Sequence, residues 1–327
     1  MIDHLVDPER LARWLDGQGM AVGQPIAIEP LGGGVSNVMC TVDRGTGRWV
    51  LRRPAQVAAE RANDGMVREY RILAALDGTE VPHPRAVALC EDHEVLGCTF
   101  FLMERVDGVH PIPLPPALES DDQRSAVAFA MVDSLACLHG VDWRAAELDD
   151  LGRPEQFHER QVERWSRQLA SYEGRVLQGI DAVAAWLRSH RPDHYEPTIM
   201  HGDFHMRNVL VAPEPPGRVV AIVDWETATI GDPLLDLAGF CEVWCPVADV
   251  GWPSRQALVE RYGQARGLGA IGDLTYYEVL YNFRLAVLLE GIYQRSRRDP
   301  TRPDAEEVGR RVLRNVARAV QLTSGGG

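Results

Sequence analysis

A chain of 327 residues, 45% hydrophobic and 25% charged, can bury a large core and has the composition of an ordinary water-soluble protein. Its formal charge of −13 argues against a nucleic-acid partner, because phosphate contacts need clustered cations. No run approaches the roughly 18 apolar residues of a membrane span, and an opening stretch with two early acids excludes a signal peptide, so a cytoplasmic chain is expected.

Taken in chain order, residues 8–19 predict a short amphipathic helix with Leu11, Trp14 and Leu15 on one face. Alternation from Ile26 to Leu31 runs into Gly32-Gly33-Gly34. Strand-like patterns follow at Val38–Val42 and Trp49–Arg52, stopped by Pro54. A helical pattern spans about 57–76, broken by Val81-Pro82-His83-Pro84, and two more strands fall near 86–90 and 98–104. The first hundred residues thus predict a small antiparallel sheet carrying one long helix.

After Val106-Asp107-Gly108, prolines at 111, 113, 115 and 116 mark an irregular connection. Asp121 and Asp122 are placed to cap a helix running to His139. Helical periodicity continues over 155–190, 254–266, 273–296 and 304–322. The last of these carries Val308, Val312, Val316 and Val320 at spacing four. One short hairpin is expected at 209–224, and the terminal Ser-Gly-Gly-Gly is expected to be disordered. The fold class is therefore α+β, with a β-rich lobe over 1–105, a hinge near 104–108 and a mostly helical lobe over 109–327. Six scattered cysteines make no zinc set and read as reduced core thiols.

The densest chemistry lies at 201–236. Asp203, Asn208 five residues later, and Asp224 at the end of an apolar strand supply a carboxylate, a carboxamide and a second carboxylate. Phosphoryl transfer from a magnesium nucleotide requires such a set: one group orients the attacking hydroxyl and two hold metal. The spacing His-x-Asp-x4-Asn is that of a kinase catalytic loop. Arg207, inside that loop, either neutralises phosphate charge or braces Asp203. Asp236 is expected to brace the loop. His201, Asp203 and His205 also alternate as in some metal-dependent hydrolases, which is the competing reading, although no further ligand motif accompanies them.

Upstream, Gly33, Gly34, Ser36 and Asn37 form a turn whose backbone could approach nucleotide phosphates. Arg52 closes a strand and Glu69 lies on the next helix, the pairing in which a strand cation grips phosphates. All 34 basic residues are arginine, so contacts made elsewhere by lysine fall here to a planar, bidentate donor. The main chain around Glu104 and Val106 is the candidate partner for adenine. Glu242, Trp244, Asp249, Tyr281 and Arg284 are either acceptor-pocket residues or ordinary core or surface residues.

Together these segments resemble the aminoglycoside phosphotransferase/choline kinase-like family, which shares its core with protein kinases. The resemblance runs over roughly 25–295. The Arg52-Arg53-Pro54 ending and the Val81–Pro84 stretch are most similar to phosphotransferase domains associated with acyl-CoA dehydrogenases. It implies a two-lobed protein kinase-like fold, ATP and Mg2+ as cofactors, and a small-molecule hydroxyl acceptor such as a hydroxyacyl metabolite or an aminoglycoside. It also implies Asp203 as catalytic base, Asn208 and Asp224 as metal ligands, and the 32–37 turn over ATP. Arg52 stands where much of that family has lysine, so a nucleotide-binding protein without transfer is a further alternative.

Overall fold

The computed structural model describes residues 5–32, 37–55, 60–244, 251–299 and 304–325. Gly33, Gly34, Ser36 and Asp249, among the residues singled out above, lie outside them. The chain divides into two compact units that are not contiguous in sequence. One holds Met1–Glu119, Val141–Leu148 and Met206–Thr227; the other holds Ser120–Gly140, Asp149–His205 and Ala228–Gly327. Residues 104–108 and the 209–224 hairpin both fall in the first unit.

In the first unit, α1 (Pro8–Gly17) starts where the Asp7 carboxylate accepts from the Glu9 and Arg10 N–H groups, and it buries Leu11 and Leu15. Five strands follow: β1 (Ile26–Leu31), β2 (Asn37–Arg44), β3 (Gly47–Pro54), β4 (Ala86–Cys90) and β5 (Phe100–Glu104). They pair antiparallel in the order β1-β2-β3-β5-β4. The helix α2 (Glu60–Ala75) packs on β3, β4 and β5 and buries Met66, Ile72 and Leu73. A four-residue helix α3 (His93–Leu96), too short for periodicity to show, ends at Gly97 in the left-handed region.

The pleat of β3 turns Arg52 and Arg53 to opposite faces. Both are buried, for different ends. Arg53 donates to the main-chain carbonyls of Leu5, Pro54 and Leu96, whereas Arg52 meets carboxylates.

The second unit is helical around one short strand pair. Ser120, rather than the acids after it, caps α4 (Asp121–His139) by accepting from the Gln123 N–H at 3.4 Å. The pattern over 155–190 resolves into α5 (Phe157–Ala170) and α6 (Ile180–Ser189), separated by a connection whose last residue, Gly179, has φ +88°. Next come the antiparallel pair β6 (Thr198–Met200) and β9 (Thr229–Gly231), and then α7 (Leu234–Trp244), α8 (Arg255–Ala265), α9 (Thr275–Arg298) and α10 (Ala305–Ser324). Between β6 and β9 in sequence, the pair β7 (Val209–Val211) and β8 (Val219–Ile222) belongs to the first unit.

The α10 stripe buries Val308, Val312 and Val316, and the helix packs along α9. Ser324, expected to be disordered, completes α10, and Gly325 caps it. The helix α7 was not anticipated. Leu235, Leu237, Ala238, Phe240, Cys241 and Trp244 are all buried, and so is Asp236, so the helix carries little amphipathic period.

Candidate functional site

In the first unit, Arg52 is 4% exposed and surrounded by acids. Its Nε lies 2.9 Å from Glu69 Oε2, and its Nη2 lies 2.8 Å from Asp224 Oδ1 and 3.4 Å from Glu226 Oε2. Three carboxylates thus face one guanidinium, and a lysine ammonium has no fork with which to meet them in the same way. Burial lowers the tendency of Arg52 to stay charged, but Glu69, Asp224 and Glu226 outweigh it and raise its pKa. Burial pushes the Glu69 carboxyl up to about 7. Arg52 pulls it down, while the charges of Asp224 and Glu226 add to the rise.

Glu69 also accepts from the Trp225 N–H at 3.3 Å, so α2 is fastened to the turn that carries Asp224. The 2.9 Å bond from the Val223 N–H to the Asn208 carbonyl closes the open end of the β7–β8 hairpin. It sets Asn208 opposite Val223, one residue from Asp224. Asp224 has φ +67°, a left-handed backbone uncommon outside glycine and concentrated at functional turns. Asn37, the first residue of β2, donates to Glu226 Oε2 at 3.0 Å. Glu226 was not singled out from the sequence, although its place two residues after Asp224 was the available signal.

The Glu104 N–H is committed to the Arg85 carbonyl at 2.9 Å, and its side chain accepts from Arg85 Nε at 3.0 Å. Arg207 is exposed in the turn Met206–Asn208, and Asn208 is buried.

In the second unit, Asp203 follows Gly202, whose φ of +80° only glycine adopts freely. Asp236 Oδ2 accepts from the His201 N–H at 2.6 Å and Oδ1 from the Gly202 N–H at 2.9 Å, so Asp236 grips the loop by its main chain. The Gly202 carbonyl accepts from Arg284 Nη2 at 2.6 Å. Asp203 itself is half-exposed, with Oδ2 3.5 Å from His205 Nε2. Burial raises its pKa, but the His205 hydrogen bond and the charges of His205, His201 and Arg284 overcome that and hold the carboxyl below its ordinary value.

A small cavity is lined by Asp203 and Asp236 together with Phe204, Gly239, Phe240, Tyr281 and Arg284. Of the other pocket candidates, Glu242 is clamped by Asn282 Nδ2 at 2.7 Å and Arg318 Nη2 at 2.8 Å. Trp244 is a core residue donating to the Pro253 carbonyl. His201 is fully buried, with Nδ1 accepting from the Asp203 N–H, and no group of three metal-ligating side chains occurs among the described residues. No helix among the described residues is long and apolar enough to cross a membrane.

Residues 27–278 match the model of the phosphotransferase enzyme family. Mouse acyl-CoA dehydrogenase family member 10 is 30% identical over 307 residues, an alignment covering 89% of this chain and 28% of that protein. Human acyl-CoA dehydrogenase family member 11 is 29% identical over 301 residues, covering 87% of this chain and 38% of that protein. The chain therefore spans well under half the length of these relatives.

Among solved structures, a Ralstonia eutropha JMP134 protein described as a candidate aminoglycoside phosphotransferase superposes with TM-score 0.86 at 29% identity. That alignment covers 97% of this chain and 98% of that one. The GDP complex of aminoglycoside 2'-phosphotransferase-IIIa shares the fold, with TM-score 0.67 at 16% identity over 95% of this chain and 99% of that one. The small antiparallel sheet and helical remainder are thus the kinase-like fold expected from the sequence.

Proposed function

The chain belongs to the phosphotransferase enzyme family and is a small-molecule phosphotransferase, and from that premise we propose that it moves the γ-phosphoryl group of ATP, with Mg2+, to a hydroxyl of a small acidic metabolite. The observation that carries this reading is the Arg52–Glu69–Asp224 cluster: a buried cation locked by a helix carboxylate and turned toward a carboxylate in left-handed backbone.

Asp224 and Glu226 are half-exposed, and with the Asn208 carboxamide they are hard oxygen donors of the kind Mg2+ takes. Bound there, the metal would supply neutralisation of phosphate charge. Arg52 holds phosphate oxygens as it holds carboxylates, by a planar fork of donors. With the Glu104 N–H already used, Val106 is the better main-chain partner for adenine. Asp203 remains ionised at neutral pH, so its part is to accept a hydrogen bond from the acceptor hydroxyl and align it, taking the proton as the phosphoryl group leaves ATP. Arg207 adds positive charge to the loop.

The acidic character of the acceptor follows from Arg284. Its guanidinium lines the cavity beside Asp203, donating to the Gly202 carbonyl and acting by its charge on the Asp203 carboxylate. A hydroxy acid or hydroxyacyl compound gains from that cation, which offers the ammonium groups of an aminoglycoside no partner. Screening both classes for acceptor-dependent ADP release tests this. Turnover with hydroxy acids is expected, and turnover with aminoglycosides alone would overturn the assignment. Asp203→Asn should abolish the acceptor-dependent release while leaving ATP affinity unchanged.

A further inference from the structure

A buried run of side chains on α4, α7 and α8 ends on the main chain immediately before Asp203. Tyr262 Oη lies 2.7 Å from His139 Nδ1, and His139 Nε2 lies 3.4 Å from the Asp236 Oδ2 that accepts from the His201 N–H. Tyr262 is 0% exposed, His139 1% and Asp236 4%, so water cannot substitute for a lost link.

The proton positions follow from the acceptor. The Asp236 carboxylate can only accept, so the His139 nitrogen facing it carries the proton and Nδ1 is left to accept the Tyr262 proton. An imidazole accepting at Nδ1 carries its own proton on Nε2, facing Asp236. Burial acts in the same sense, raising the Tyr262 pKa and lowering that of His139, so both stay neutral. In the opposite tautomer a nitrogen lone pair would face the carboxylate, and the grip of Asp236 on the His201 and Gly202 amides would weaken.

We propose that Tyr262 is a positioning residue for phosphoryl transfer: by fixing the His139 tautomer it keeps Asp236 locked onto the loop that presents Asp203. Only the catalytic half of this inference rests on the function proposed above. The test compares Tyr262→Phe with the unaltered chain by amide hydrogen exchange and by ADP release from Mg·ATP with water as acceptor. The His201 and Gly202 amides should exchange about tenfold faster in Tyr262→Phe, while the α9 amides keep their protection. The kcat should fall about tenfold, with KM for ATP within about twofold, because only the presentation of Asp203 has changed.

In a His139→Gln background the side-chain amide can donate to Asp236 without help from Tyr262, so adding Tyr262→Phe should change neither readout further. Unchanged protection at residues 201–202, protection lost equally through α9, or an unchanged kcat would overturn the proposal. Expected exchange changes in a chain that releases no ADP at all would instead sink phosphoryl transfer and leave the loop-positioning role standing.

Discussion

Arg52 meets three carboxylates with one side chain. A lysine there offers a compact ammonium, whereas the guanidinium uses Nε on Glu69 and Nη2 on Asp224 and Glu226 at once. Removing it leaves Glu69, 2% exposed, as an uncompensated buried acid. Arg52→Ala is therefore expected to lower the unfolding free energy by about 3–5 kcal/mol in urea titration and to weaken Mg·ATP binding at least about tenfold. Loss of stability without loss of affinity would show that the cation is only structural.

His139 makes a second prediction, about pH. Burial depresses its pKa below 6.5, with Asp236 pulling the other way, so the unfolded chain binds the proton more readily than the folded one. Its contribution is fully present above 6.5 and is lost as pH falls below that value. The melting temperature should decline from about pH 6.5 downward, and His139→Gln should flatten that decline; an identical decline in the variant would assign it elsewhere.

Among the elements, α7 sets competing rules against each other at Gly239. Helix propensity alone favours alanine there by about 1 kcal/mol. A Cβ at Gly239, however, would lie 2.6 Å from Tyr281 Cδ2, beside the cavity at Asp203. Packing should win, and Gly239→Ala should destabilise by about 1–3 kcal/mol on chemical denaturation. A more stable variant would mean that Tyr281 moves aside freely.

The same helix marks where reading the sequence stopped. Amphipathic elements such as α1, α2 and α10 were legible because one face meets the core and the other water. The mostly buried helix α7 and the three-residue strands β6 and β9 left little period to detect. Spacing singled out Asp203, Asn208 and Asp224 as candidates, and it made the pairing of Arg52 with Glu69 legible. The shared hold of Asp224 and Glu226 on Arg52, the Asn37–Glu226 bond and the anchoring of residues 201–202 by Asp236 depend on side chains brought together from distant segments, which spacing alone does not encode.

At the scale of the whole molecule, a family match over 27–278 and a superposition at TM-score 0.86 agree with the two-part logic of the fold, a small sheet with one long helix and a helical remainder. Every basic residue is arginine and the net charge is −13, so the cations beside the candidate groups stand out against an acidic background. Arg52 and Arg284 each lie next to one of the carboxylates assigned a role, Asp224 and Asp203. The chain matches only 28% and 38% of the lengths of its mouse and human relatives. The central claim is that Arg52, Asn208, Asp224 and Glu226 receive a magnesium nucleotide. Calorimetric titration of ATP into the full chain, with and without Mg2+, tests it most directly: the account predicts binding that depends on Mg2+, and binding indifferent to the metal, or none at all, would contradict it.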